Sequence, residues 1–98
     1  MTTATLENLR RRRDELLAIA SRRGASDMRI FGSVARGEDL DTSDVDFLVR
    51  MERGRSLLDL AALRDDLATA IARPVDVVTE NGIYPYLRQR ILGEAVPL

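Results

Sequence analysis

From Thr5 to Arg23 the apolar residues Leu6, Leu9, Leu16, Leu17 and Ala20 fall at helical spacing, interrupted where Arg13 takes an expected apolar place. The pattern predicts a helix. Gly24 stands where a C-capping glycine belongs. Met28-Arg29-Ile30-Phe31 is short and partly β-branched or aromatic, and it ends at Gly32, which predicts a buried strand running into a turn. Asp44 to Arg50 alternates, with Val45, Phe47 and Val49 on one face and Asp44, Asp46 and Leu48 on the other, so a second strand is expected there. Ser56 opens a second helix, with Asp59 as its capping-box partner and Leu57, Leu60, Leu63, Leu67, Ala70 and Ile71 as the apolar stripe. Pro74 stops it and leads into a third strand, Val75 to Thr79. Asn81-Gly82 signals a turn, and Tyr84 to Leu92 reads as a last short helix with Leu87 and Ile91 inward. Ala95 to Leu98 has room only for a brief edge strand.

The order helix, strand, turn, strand, helix, strand, helix predicts an α/β (α+β) architecture, a small mixed β-sheet with helices packed on it. A length of 98 residues fits a single domain spanning residues 1–98. No internal repeat, linker or low-complexity run divides it.

Composition narrows the chemistry. The chain has no cysteine, no histidine and no lysine, so all 15 basic residues are arginines. Thiolate nucleophiles, zinc held by Cys or His, Ser-His-Asp triads, Walker A loops and lysyl intermediates are therefore excluded. General base work falls to carboxylates or a tyrosine. Sixteen acidic residues bring the net charge to −1, and direct nucleic-acid binding is not expected from such a balance. The signs are segregated: Arg10 to Arg13, Arg22 and Arg23 lie early, while Glu38, Asp39, Asp41, Asp44 and Asp46 crowd the middle. With no signal-peptide pattern and no run of 18 apolar residues, a cytoplasmic protein without a membrane partner is expected.

The informative segment is Gly32-Ser33-Val34-Ala35-Arg36-Gly37, followed by Ser43-Asp44-Val45-Asp46. Residues two apart on a strand project to one face with Cα atoms roughly 6.5 Å apart, so Asp44 and Asp46 can converge on one small volume. Their mutual repulsion is relieved by a cation, and hard oxygen donors suit Mg²⁺ or Mn²⁺. Asp76, flanked by Val75 and Val77, is a third carboxylate in an otherwise apolar strand. If that strand lies beside Asp44 to Arg50, three carboxylates meet, the arrangement that two-metal phosphoryl chemistry asks for. Gly32 at the end of a strand lets backbone N–H groups approach phosphate oxygens, and a following helical turn aims its positive end there. Ser33 adds a hydroxyl donor, and Arg36 can offset developing phosphate charge.

Each part taken singly has a plainer explanation. A Gly-Ser pair is often only a turn, a D-x-D pair can be a solvated face or a calcium loop, and Asp76 could pair with an arginine. An EF-hand register begun at Asp39 puts Asp44 where glycine is required and Arg50 where the bidentate glutamate belongs, so that version fails. The parts occur together in one short chain, and coincidence explains that poorly.

Gly32-Ser33, ten intervening residues, then Asp44-Val45-Asp46 resembles the G-S-x₁₀-D-x-D signature of the polymerase β nucleotidyltransferase superfamily. With S-D-V-D-F-L-V and V-D-V-V-T the chain is similar to the minimal nucleotidyltransferase family over nearly its whole length, down to Leu87-Arg88-Gln89-Arg90-Ile91-Leu92. The resemblance implies a polymerase β-like fold and transfer of a nucleotide, AMP from ATP, to a hydroxyl. It implies two Mg²⁺ ions on Asp44 and Asp46, with Asp76 completing one metal site and activating the attacking hydroxyl, and Gly32 and Ser33 holding the triphosphate. Arg36 matches a common family position. Several members of the family act as antitoxins of a HEPN-type toxin, some by AMPylating its tyrosine, and such a protein partner is therefore an expectation of the resemblance. Larger relatives carry a further acceptor-gripping domain, so here another polypeptide is expected to supply part of the acceptor site. The alternative is a non-catalytic antitoxin that neutralises its partner by complex formation. Nucleotidylation of a small molecule is a third option.

Four consecutive arginines on a helix point all round it, so Arg10 to Arg13 read as solvated surface rather than a flat nucleic-acid patch. Arg13, set in the apolar stripe, could pair with an acid or reach the cleft. Tyr84 and Tyr86 read as core or rim.

Overall fold

The computed structural model describes residues 5–40 and 42–98; Asp41, one of the acids noted above, lies outside them. Four strands form one mixed sheet in the order β3-β2-β1-β4. β1 (Ala25–Phe31) runs antiparallel to β2 (Val45–Met51) and to β4 (Val96–Pro97), while β2 and β3 (Val75–Thr79) are parallel. A parallel pair needs a crossover. Here α4 (Leu57–Ile71) provides it, capped by Ser56 and Asp59 in the reciprocal arrangement that the sequence predicts.

The predicted first helix is two, α1 (Thr5–Arg11) and α2 (Arg13–Arg22), separated at Arg12, whose φ of −102° and ψ of 18° leave the helical region. Gly24 caps α2 at φ +79°, its N–H donating to the Ser21 carbonyl. β1 starts three residues earlier than expected and carries a bulge between Ser26 and Arg29, where Asp27 takes φ +53°. α4 ends at Ile71, before Pro74, with Ala72 in the left-handed region.

Leu16, Ile19, Val45, Phe47, Val49, Leu63 and Leu67 form the centre of the core, which joins α2 and α4 to the sheet. The period-two reading of β2 holds, with Val45, Phe47 and Val49 in the core and Leu48 on the other face. Leu48 is fully buried although it shares a face with Asp46, and it stands outside that core cluster together with Ile83. The second face of the sheet is therefore covered at one end and open at the other. α5 (Pro85–Glu94) is only half-buried at Leu87 and Ile91. Tyr84 and Tyr86 are exposed, correcting the core reading, and they stack on each other with ring centroids 5.9 Å apart. Arg13 is exposed, while Arg11 and Arg12 pair with Glu7 and Glu15 on the same surface. Among the described residues no helix is long and apolar enough to cross a membrane.

Candidate active site

Phe31, Asp46 and Asp76 form one row across β1, β2 and β3, because Phe31 pairs with Asp46 and Asp46 pairs with Asp76. Side chains in register on neighbouring strands share a face. The two acidic residues therefore stand on one face of neighbouring strands, and the residue after Phe31 begins the Gly-Ser bend. Asp44 precedes β2 rather than sitting in it, and its side chain is exposed.

The bend is the short helix α3 (Gly32–Arg36), anchored by the buried Val34. Gly32 enters it at φ +76°, a conformation that side chains other than glycine rarely adopt. A β-carbon at that position would overlap Oδ2 of Asp46. Gly37, at φ +72°, closes the turn by donating to the Val34 carbonyl, and the Glu38 N–H donates to Ser33 O. Ser33 is half-buried and Arg36 exposed beside it.

Burial, reinforced by the charges of Asp76 and then Asp44, pushes the Asp46 carboxyl up from 3.8 to about 6. Arg36 opposes the shift and Glu94 adds to it. Asp46 thus feels the charges of Asp76, Asp44, Arg36 and Glu94. A cation at this place would relieve a repulsion already present.

Two participants escaped the sequence reading. Glu94, the last residue of α5, accepts a hydrogen bond from the Gly32 N–H at 2.6 Å and another from Arg36 Nη1 at 2.9 Å through the same oxygen, Oε1. No periodicity or spacing signals a pairing across 62 positions. Arg73 sits in the α4–β3 connection and reaches the segment before β2. Its guanidinium donates to the carbonyls of Leu40 at 2.9 Å and Ser43 at 2.7 Å and pairs with Asp39 at 3.4 Å. That clamp fixes the backbone one residue before Asp44.

The donor set suits a hard divalent ion, with carboxylate oxygens from two adjacent strands, a third carboxylate within electrostatic reach and no soft ligand. Among the described residues no three acidic side chains are already gathered into a cage, so Asp44 and Asp76 would have to turn toward Asp46 to complete one.

A strand-turn-helix bearing Gly-Ser, set against paired carboxylates on the neighbouring strands, defines a nucleotidyltransferase. Residues 10–98 match the nucleotidyltransferase domain family, and the chain belongs to it. It is 43% identical over 89 residues to a Methanocaldococcus jannaschii protein provisionally named protein adenylyltransferase MJ0435, covering 91% of this chain and 96% of that one. Protein adenylyltransferase MntA of Thermococcus cleftensis is 33% identical over 78 residues, or 80% of this chain and 79% of the relative. A solved structure, provisionally described as a minimal nucleotidyltransferase, superposes with a TM-score of 0.84 at 49% identity over 95% of each chain. The fold also recurs, at 20% identity and a TM-score of 0.74, in a toxin-antitoxin crystal structure with AMP-PNP, over 86% of this chain and 69% of that one. The protein is a nucleotidyltransferase enzyme with the minimal fold of that family.

Proposed function

We propose that this enzyme transfers AMP from ATP to a hydroxyl of a partner protein, a tyrosine of a HEPN-type toxin, and so acts as an antitoxin. The observation that carries the proposal is the row Phe31-Asp46-Asp76, which sets two carboxylates beside the Gly32 bend. The names of the adenylyltransferase relatives support ATP as donor and a protein as acceptor.

In this mechanism the Gly32 and Ser33 backbone, the Ser33 hydroxyl and Arg36 hold the β- and γ-phosphates, which leaves the α-phosphorus facing the carboxylate row. Asp44, Asp46 and Asp76 would hold two Mg²⁺ ions, which supply charge neutralisation for the transferring phosphoryl group. Asp76, exposed on the edge strand, takes the proton of the acceptor hydroxyl. The hydroxyl oxygen bonds to the α-phosphorus as the bond to the bridging oxygen breaks, and pyrophosphate leaves toward Arg36. An open cavity of about 160 Å³ is lined by Asp76 with Leu57, Leu60, Ala61, Arg64 and Val77, and it offers a seat of mixed polar and apolar character for part of the acceptor.

Labelled ATP, Mg²⁺ and the product of the neighbouring gene provide the test. The partner should become labelled, and Asp44→Asn together with Asp46→Asn should abolish labelling in a folded protein. Transfer by the double variant would overturn the mechanism.

The exposure of Leu57 and Leu58, both about four-fifths accessible, favours a second reading in which complex formation alone neutralises the partner. In that case the Asp44→Asn variant still protects cells from the toxin. Loss of protection would exclude it.

A further inference from the structure

An acidic residue in the last turn of a helix opposes the helix dipole, so Glu94 gains nothing from its place in α5. Its side chain is only 18% exposed, and a carboxylate that withdraws from water needs strong partners. It finds them in the Gly32 N–H and the Arg36 guanidinium. Those are the groups assigned above to nucleotide phosphates, and they hold a carboxylate oxygen instead. Asp46 stands close enough for the Glu94 charge to be felt there, so the carboxylate keeps this position against repulsion from its acidic neighbours.

We propose that Glu94 is a built-in competitor for the nucleotide: its carboxylate fills the phosphate cradle of Gly32 and Arg36, and the triphosphate must displace it to bind. The proposal rests on the assignment of the Gly-Ser bend as the phosphate site. The Gly32 N–H has one hydrogen to donate, so carboxylate and phosphate oxygens cannot both take it. Two like anions at one guanidinium and one amide exclude each other by charge as well. Displacement requires rotation of the Glu94 side chain and leaves the fold unchanged, because α5 continues directly into β4, which is paired to β1. The free energy of the carboxylate's two charge-assisted bonds is subtracted from every nucleotide that enters. Glu94 thus lowers affinity for the triphosphate and, by returning, favours departure of pyrophosphate.

Calorimetric titration with AMP-PNP in the presence of Mg²⁺ tests this on the whole chain. Glu94→Gln keeps the size of the side chain and an acceptor oxygen but removes the charge, and it should bind the analogue about tenfold more tightly than the native protein. Glu94→Asp retains the charge on a shorter arm that falls short of the Gly32 N–H, and it should also bind more tightly. Melting curves of both variants confirm that they are folded. Ser33→Ala serves as the separate probe of the phosphate site and should bind more weakly. If Ser33→Ala weakens binding while both Glu94 variants bind no more tightly than the native protein, the competitor role is overturned and the phosphate site stands. If neither Ser33→Ala nor the Glu94 variants alter affinity, the phosphate site itself is misassigned and the competitor role falls with it.

Discussion

Gly32 presents its bare Cα to the carboxylate of Asp46 so closely that a β-carbon there would overlap Oδ2. The Gly-Ser bend and the central carboxylate are therefore in direct contact, with only a glycine hydrogen between them. Gly32→Ala adds that collision to the strain of holding φ at +76°. The expected loss is about 2–3 kcal/mol, or roughly 10 °C or more in Tm for a domain of this size. Transfer activity should fall at least a hundredfold even below the new Tm, because relief of the clash moves Asp46. A variant that is less stable but fully active would show that the contact has no part in the chemistry.

Asp46 makes the stability of the ion-free protein depend on pH in an unusual direction. Its carboxyl titrates near 6 in the fold, against 3.8 when unperturbed, so the folded state holds the proton more tightly. That contribution is fully present below about pH 4 and is lost as pH rises through 6. At full strength the shift corresponds to about 3 kcal/mol, and solvent screening of a half-exposed group brings the expectation to about 1–2 kcal/mol. Asp46→Asn, neutral throughout, should melt above the native protein at pH 7.5 in chelator, and the gap should close at pH 4. Carboxylates held low by arginines, such as Glu80 and Asp66, act oppositely in both proteins and cancel in the comparison. Parallel curves across that range would mean that Asp46 is not crowded by its neighbours.

Much of this arrangement is legible in the sequence, and what is missing has physical reasons. The capping box at Ser56 and Asp59 fixes the start of α4 from local chemistry alone, and β3 matches its expected bounds because valines flank Asp76 on both sides. The alternation in β2 places Asp46 on the face opposite Val45 and Phe47. It cannot say that the far end of that face is also covered, which is why Leu48 is buried. The break at Arg12 is marked in the sequence only by Arg13 in the apolar stripe, since arginine is a good helix former and no glycine or proline stands at the place. The register that pairs Asp46 with Asp76 depends on strand order, and no periodicity carries it. Glu94 and Arg73 act through contacts made only after the chain has folded back on itself.

Asp76 pairs in register with Asp46 but is exposed, on the edge strand. In the proposed mechanism a group that takes a proton from an incoming hydroxyl needs that access, whereas the bend and Asp46 would grip the nucleotide. Asp76→Asn should therefore retain AMP-PNP binding within about threefold and lower kcat for transfer by 10²-fold or more, the usual size of a lost general base. If binding and kcat fell together, Asp76 would be chiefly a metal ligand. Undiminished transfer would remove it from the reaction.

Arg73 holds the approach to Asp44 by a different means. Its side chain is 16% exposed and that of Asp39 is 9% exposed, so this ion pair is well withdrawn from water. Thr5 also donates to Asp39, at 2.7 Å, which ties α1 to the same knot. Arg73→Ala would leave the Asp39 carboxylate without its cation and the carbonyls of Leu40 and Ser43 without their donor. Removing one member of such a pair exposes the other to its full desolvation penalty, and about 2–4 kcal/mol of stability should be lost. Arg73→Lys keeps the charge but cannot span two carbonyls and a carboxylate with one ammonium, so it should recover less than half of that loss. Adding Asp39→Asn to Arg73→Ala removes the stranded charge and should restore part of the stability without restoring activity. The backbone ahead of Asp44 would still be loose. Denaturant melts and the transfer assay, run on the same four proteins, separate these effects, and full recovery of activity in the double variant would show that the clamp serves the fold alone.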